Sequence, residues 1–262
     1  MDAFNILLEE DIFRTNPQAL EKLNGWVKAR DASRQPAAMY AMGSLLLEKD
    51  DLSGAVKMAE EGLSKYPQSL PVQILSLNTI TVLLDKNRLQ DAERLISKYP
   101  GSSPDLVFQQ GALAFLKKDY SLAQKLFREA ARRASETTAE NALFNENLAA
   151  LNANDASGAA ALIKEASGSS RLRESILFEQ AHYAAKRMAP QAAELLANFI
   201  TLAETPALKT QARLDQVEVA LNLNPPDLET VQAILPLLEK EQLSPEQTMQ
   251  LARLNILEAE SR

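Results

Sequence analysis

The stretch GALAFLKKDYSLAQKLFREA, residues 111–130, decides how this chain is read. Nearly every residue in it favours a helix, yet the run breaks once, at Lys118-Asp119. Small residues stand at Gly111, Ala123 and Ala130, and a large ring at Phe127. An upstream stretch, residues 36–67, repeats the pattern. With Gly43 set against Gly111, Ala55 falls on Ala123, Ala59 on Phe127, Gly62 on Ala130 and Pro36 on Pro104. The offset is 68 residues, two periods of 34, and self-similarity at that period marks stacked helical hairpins.

A hairpin of two helices cannot bury both apolar faces alone, so neighbours stack on it. A small residue at Gly43 or Gly111 lets the second helix of the hairpin come close to the first, and Ala55 or Ala123 does the same from the other side. Larger residues such as Leu46, Leu126 and Phe127 fill the layer between hairpins. This spacing of small residue, large residue, Ala, ring, Ala and Pro resembles the tetratricopeptide repeat, and residues 36–137 carry the resemblance best. The chain departs from that family at Ala59, where the family has a ring, and at Met39 and Val107, where it has Trp. The resemblance implies an all-α fold, a right-handed α-solenoid of TPR-like hairpins with about thirteen helices.

Working outward, residues 70–103 have the length of one repeat with a weak consensus, a first helix over 70–85 and a short second one over 89–98. Downstream, helices are expected over 138–152, 156–166, 171–187, 190–203 with Pro190 in its first turn, 206–222, and 227–240 after the turn at NPPD. SPEQ at 244–247 reads as a capping box opening a last helix, 245–260. Upstream, residues 3–14 and 17–30 form a starting pair. No linker is long enough to divide the chain. Residues 1–262 therefore read as one domain, with an N-terminal pair at 3–30, the best repeats at 36–137, degenerate repeats at 138–240 and a capping helix at 245–260.

Composition agrees. Apolar residues make up 46% of the chain, too many for disorder, and the abundance of Ala and Leu favours helices. The net charge of −7 argues against a generic grip on nucleic acid, which needs a basic field. The densest basic cluster, Arg128, Arg132 and Arg133, reads as a solvated helix face. With no cysteine, disulfides and thiol chemistry are excluded. The opening MDAFNILLEEDIF has no basic flank before its apolar run, so it does not read as a signal peptide and a cytoplasmic location is favoured. No apolar run approaches the ~18 residues of a membrane span, so no membrane insertion is expected.

Catalytic chemistry is poorly marked. His182, the single histidine, has no nucleophile or co-ligand at a telling spacing, and it reads as structural or surface. One His and no Cys make a zinc site untenable. The carboxylate pairs Glu9-Glu10, Asp50-Asp51 and Glu60-Glu61 read as solvated. No phosphate loop, dinucleotide fingerprint or nucleophile elbow is present. The chain thus reads as a non-enzyme with no cofactor and no metal.

What remains is surface. Stacked hairpins curve, so their first helices line a groove, and the resembling family contacts ligands from the fifth and ninth positions of those helices. Counted from Pro36, Leu70 and Pro104, the fifth positions are Tyr40, Ile74 and Phe108, and the ninth are Ser44, Asn78 and Ala112. Phe115 lies one turn beyond Ala112, and Phe144 and Asn145 take nearby places in the next repeat. The family's clamp for acidic C-terminal tails uses Lys, Asn and Arg, of which only Asn78 is matched. The expected partner is another protein, held as an amphipathic helix or an extended apolar segment. Phe108, Phe115 and Phe144 face the groove or pack inside the stack; Asn145 and Asn147 bond a peptide backbone or face water. The alternative is a self-associating subunit whose terminal helices, 3–30 and 245–260, are the interfaces.

Overall fold

The computed structural model of the protein describes residues 17–28 and 34–261. Among them are fourteen α-helices and no strand. The expected helix at 3–14 lies outside the described residues, and the count exceeds the expected thirteen. The helices are α1 (Pro17–Lys28), α2 (Gln35–Glu48), α3 (Leu52–Lys65), α4 (Leu70–Asp85), α5 (Leu89–Lys98), α6 (Pro104–Leu116), α7 (Tyr120–Arg133), α8 (Glu136–Asn152), α9 (Ala156–Glu165), α10 (Ser170–Lys186), α11 (Ala192–Leu202), α12 (Pro206–Leu221), α13 (Leu228–Leu238) and α14 (Pro245–Ser261). A short 3₁₀ turn, Ala166–Gly168, follows α9.

One turn is used five times within the hairpins. Asp50, Asn87, Lys118, Asn154 and Met188 each stand in the left-handed region, at φ between 50° and 64°. In the first, the Asp50 N–H donates to Leu47 O at 3.0 Å and the Asp51 N–H to Leu46 O at 2.8 Å. The same two bonds recur at the other four positions, satisfying carbonyls that the helix end leaves free. In the first four the next residue, Asp51, Arg88, Asp119 or Asp155, is the N-cap of the second helix. Asp51, Asp119 and Asp155 accept from the N–H of Gly54, Leu122 and Gly158 at 2.9, 3.1 and 2.9 Å. Such a cap contributes about 1 kcal/mol. The α12–α13 turn is different, with a cis Asn224-Pro225 bond, but Asp227 again caps its helix through Thr230.

Helices that enter from the other side are capped by Ser103, Ser169 and Ser244. At Ser244 the expected reciprocal box forms, with Ser244 N–H on Gln247 Oε1 at 3.0 Å and Gln247 N–H on Ser244 Oγ at 3.2 Å. Pro190 is not in a first turn. Two turn residues intervene, and α11 starts at Ala192 because the Ala192 N–H still bonds back to Ala189 O.

The contacts divide the chain into two compact units, Met1–Ala142 and Leu143–Arg262, with the division inside α8. In the first unit successive helices from α1 to α7 pack on one another, and α2 on α4, α3 on α5 and α4 on α6 as well. Its core runs through Val56, Leu63, Leu75, Leu83, Leu95 and Leu106. The second unit follows the same rule, with α10 packed on α11 and α12, and α12 on α13 and α14. Its cores centre on Leu162 and Ile176, on Phe178, Leu196 and Phe199, and on Leu214, Val231, Leu238 and Leu254.

The small residues act as expected in one hairpin and differently in the other. A methyl group at Gly111 would stand 2.9 Å from the ring of Phe127, on the second helix of the same hairpin. At Gly43 it would collide with Leu75, which belongs to α4, the first helix of the next hairpin. The reason is Ala59. It takes the place of the ring, is too short to reach Gly43, and leaves space that Leu75 fills. Gly62 makes the corresponding room for Val72, whose side chain would lie 2.9 Å from a methyl group there.

Candidate functional site

The expected groove residues of the first unit fall on three helices in succession, since α2 packs on α4 and α4 on α6. Met39, Gly43, Leu75, Thr79, Val107 and Gly111 turn inward and are buried. Their neighbours are less covered. Tyr40, Ser44, Phe108 and Ala112 are half-buried, Asn78 is exposed, and Ile74 keeps 37% of its surface. Leu70, one turn before Ile74, keeps 66%. The row is therefore an accessible edge of the core, with Tyr40 and Ala112 packed against the same apolar cluster.

The aromatic residues divide. Phe108 lies edge-on to Phe127 at 5.3 Å, and Phe115 edge-on to Tyr120 at 5.3 Å, so both brace their own hairpin while keeping some exposed surface. Phe144 lies in the second unit, half-buried with Leu143 and Ile163 over Leu162, Leu172 and Ile176. Asn145 beside it is half-buried and already bonded. Asn147 neither faces water nor is open to a peptide. It is fully buried, and its Oδ1 accepts from Gln180 Nε2 at 2.9 Å.

Charge is segregated in the first unit. Helices α2, α4 and α6 contain no Lys, Arg or His, and their acidic residues, Glu48, Asp85 and Asp105, sit at helix ends. Lys49, Lys86 and Lys117 cap the C-termini of these three helices, and the other helical basic residues are on α1, α3, α5 and α7. There Glu60 pairs with Arg94 at 2.8 Å and Lys98 at 3.1 Å. Burial pushes the Glu60 carboxyl up, but these two partners outweigh it and hold it below its ordinary value. Arg133, expected on a solvated face, is exposed and bonds Ser102 and Glu129 there.

The first helices of the second unit carry a polar network instead. His182 Nδ1 lies 2.5 Å from Oδ2 of Asp215, a carboxylate with 1% exposure, and the imidazole stacks on Phe178 at 5.4 Å. Gln211 donates to the other Asp215 oxygen at 3.1 Å and meets Gln250 of α14. The hydrogen bond that Asp215 accepts raises the His182 pKa against the opposing effect of burial. Burial raises that of Glu179. A carboxylate behind an imidazole fixes its tautomer, and here it also ties α10 to α12. The sequence marks His182 as structural but gives no sign of its partner, 33 residues away.

A cavity of about 450 Å³ opens in the same unit beside Leu151, Ala159, Tyr183, Arg187 and Leu195. Arg187 lies 4.5 Å over the Tyr183 ring and donates to Asn154 Oδ1 at 2.7 Å. Sequence reasoning missed this feature; its one signal is the Tyr183–Arg187 spacing of a single helical turn. Among the described residues no three His, Cys, Asp or Glu side chains gather as metal ligands. No helix among them is long and apolar enough to cross a membrane. Comparison of the chain with protein-family models, curated proteins and solved structures found no match.

Proposed function

We propose that the protein is a protein–protein interaction module built as a tetratricopeptide-like α-solenoid, a scaffold or adaptor that holds a peptide or helix of a partner within a larger assembly. The observation that carries this reading is the row Tyr40, Ser44, Ile74, Asn78, Phe108 and Ala112. It occupies equivalent positions on three successively packed helices and leaves Ile74 and Asn78 open. The solenoid reading is supported, within each unit, by the packing of successive helices and of α2 on α4, α4 on α6, α10 on α12 and α12 on α14. It is supported again by the five repeated turns. Aliphatic and aromatic side chains at such an edge supply affinity on burial, and a few of them carry most of it. Catalysis forms no part of the proposal.

The test is selection of binding peptides from a displayed random library, followed by affinity measurement on single variants. Ile74→Glu and Asn78→Ala weaken binding if the row is the site, while Lys57→Ala on α3 leaves it unchanged. Peptides that bind all three variants as they bind the parent place the site elsewhere.

A second reading, self-association, is favoured by α14. Its inner face buries Leu251 and Leu254, while Met249 and Ile256, seven residues apart, keep 68% and 61% of their surface. Sedimentation across a concentration range decides it: a dimer lost in Ile256→Asp supports this reading, and a monomer at every concentration removes it.

A further inference from the structure

We infer that the cavity beside Leu151, Ala156 and Arg187 in the second unit is a binding site for a small carboxylic acid with an apolar body, its carboxylate held by Arg187. This stands apart from the docking row and does not depend on it.

The cavity has a cause in the sequence. After their N-cap residues, α3, α5, α7 and α13 begin with Leu52, Leu89, Tyr120 and Leu228. Leu52 is buried, and Leu89 and Leu228 pack on the cores of their units. Helix α9 follows Asp155 in the same way but begins with Ala156, whose side chain ends at Cβ. Ala159, about one turn on, and Ala184 and Ala189 of the neighbouring hairpin are equally short. The slot they leave holds about 450 Å³ and is walled also by Leu151 and Leu195. That volume suits a small ligand, and an apolar body displaces water from such walls.

Arg187 supplies the charge. It is exposed, donates to Asn154 Oδ1 at 2.7 Å, lies 4.5 Å over the Tyr183 ring, and pairs with no carboxylate among the described residues. A guanidinium has five N–H donors, so several stay open to a carboxylate, which it binds in a fork. The Asn154 bond and the Tyr183 face hold it in place before a ligand arrives, which reduces the freedom lost on binding. Asp155 also lines the cavity, but its Oδ1 accepts from the Gly158 N–H at 2.9 Å and the Ser157 hydroxyl at 3.0 Å, against the positive end of α9. Gln191, another lining residue, opens α11 without a side-chain cap bond, so a second positive helix end adjoins the site. Glu194 in that first turn offsets part of its field without lining the cavity.

The lining is also incomplete in its hydrogen bonds. Gln180 Nε2 is fixed by Asn147 Oδ1 at 2.9 Å and Ala159 O at 2.8 Å, which leaves the Gln180 oxygen over. The Tyr183 hydroxyl is buried without a hydrogen-bond partner. Such a group is uncommon in a native structure and points to a partner that the chain itself does not supply. One cation among apolar walls suits a monoanion. A phosphate would bring a second charge against hydrocarbon and Asp155.

The experiment titrates the isotope-labelled full chain with straight-chain carboxylates from propanoate to octanoate, with benzoate and phenylacetate, and with the matching amides. The backbone NMR signals of Ala156, Ala159, Ala184 and Ala189 report on the cavity. The expected result is saturable shifts of these signals with the longer or aromatic acids, and binding of the amides weaker by about tenfold or more. Arg187→Gln loses about tenfold or more, as does Ala156→Leu, which fills the slot. Lys186→Gln, the same charge change one residue earlier, stays within about twofold of the parent. Circular dichroism checks folding. Equal binding of acids and amides, binding that survives Arg187→Gln, or an equal loss in Lys186→Gln overturns the carboxylate assignment. Shifts that survive Ala156→Leu, or no saturable shift with any acid, overturn the site.

Discussion

Gly111 and Phe127 are in such close contact that a methyl group on the glycine would stand 2.9 Å from two atoms of the ring. The ring is 1% exposed and packed edge-on against Phe108, so it has little room to shift. In a free helix Gly→Ala gains about 1 kcal/mol. Here overpacking costs about 1–3 kcal/mol, so Gly111→Ala lowers the urea midpoint. In a Phe127→Leu background the same change is neutral or stabilising. Gly25 in α1 has no atom within 4 Å of its missing side chain, so Gly25→Ala raises stability by about 1 kcal/mol. Equal effects at the two glycines would refute the close-approach account of Gly111.

The five left-handed turn residues are unequal. Asn tolerates that conformation, whereas Lys118 and Met188, at φ 64° and 50°, are there against their preference. Lys118→Gly and Met188→Gly each stabilise the protein by about 0.5–1 kcal/mol, and Asn87→Gly by a few tenths at most. Chemical denaturation of the three variants reads this directly.

The Glu174 carboxylate on α10 accepts from the N–H groups of Glu204 and Thr205 at 2.7 Å and from the Thr205 hydroxyl at 2.6 Å. It thus caps α12 from a neighbouring hairpin. Burial pushes its pKa up, but these three donors prevail and hold it below the ordinary value. Its contribution is therefore present above the unfolded pKa and lost as pH falls through the lower folded value. Glu174→Ala costs about 1–2 kcal/mol at neutral pH, with the difference from the parent shrinking in acid. A difference that is constant with pH would refute the ionised cap.

His182 gives the opposite slope. Its pKa is raised by Asp215, so the stability it supplies is full below the unfolded value of about 6.5 and declines as pH rises through the folded value. Lys186 opposes the charged form and Glu179 supports it. Glu179, itself raised, loses stability upward from about 4.3, a separate window. Denaturation midpoints fall as pH rises above about 6.5 in the parent and stay flatter in His182→Gln. Titration of the single imidazole by NMR gives the folded pKa independently; an unshifted value would remove the linkage.

The hairpins were readable because their punctuation is local. Asp51, Asp119 and Asp155 announce helix starts, Pro104 and Pro206 fix first turns, and the spacing of Gly111, Ala123 and Phe127 sets the period. The short α5 was expected over 89–98, and it runs Leu89–Lys98. What escaped is what depends on a side chain's reach across space. That Leu75 rather than a residue of α3 would meet Gly43 follows from the shortness of Ala59, visible only once the helices are placed. The burial of Asn147 on Gln180 and the pairing of His182 with Asp215 link residues 33 apart whose identities obey no rule of local preference. Of the expected row, the first-unit positions do lie on adjacent helices, because position within a repeat fixes the helix face. Phe144 and Asn145 are half-buried in the second unit, because the consensus that set the register has faded by residue 138.

The ties between hairpins obey the repeat as closely as the hairpins themselves. Tyr66 meets Gln35 31 residues back, Arg94 meets Glu60 34 back, and Arg187 meets Asn154 33 back. Deleting one residue within a helix rotates everything after it by about 100°, and each such partner is then aimed at the wrong neighbour. Removing or duplicating a whole hairpin preserves every spacing on both sides of the splice. An architecture of this kind tolerates change in length by modules and resists it by single codons, so the natural unit of its evolution, and of any effort to shorten or extend it, is the helical pair.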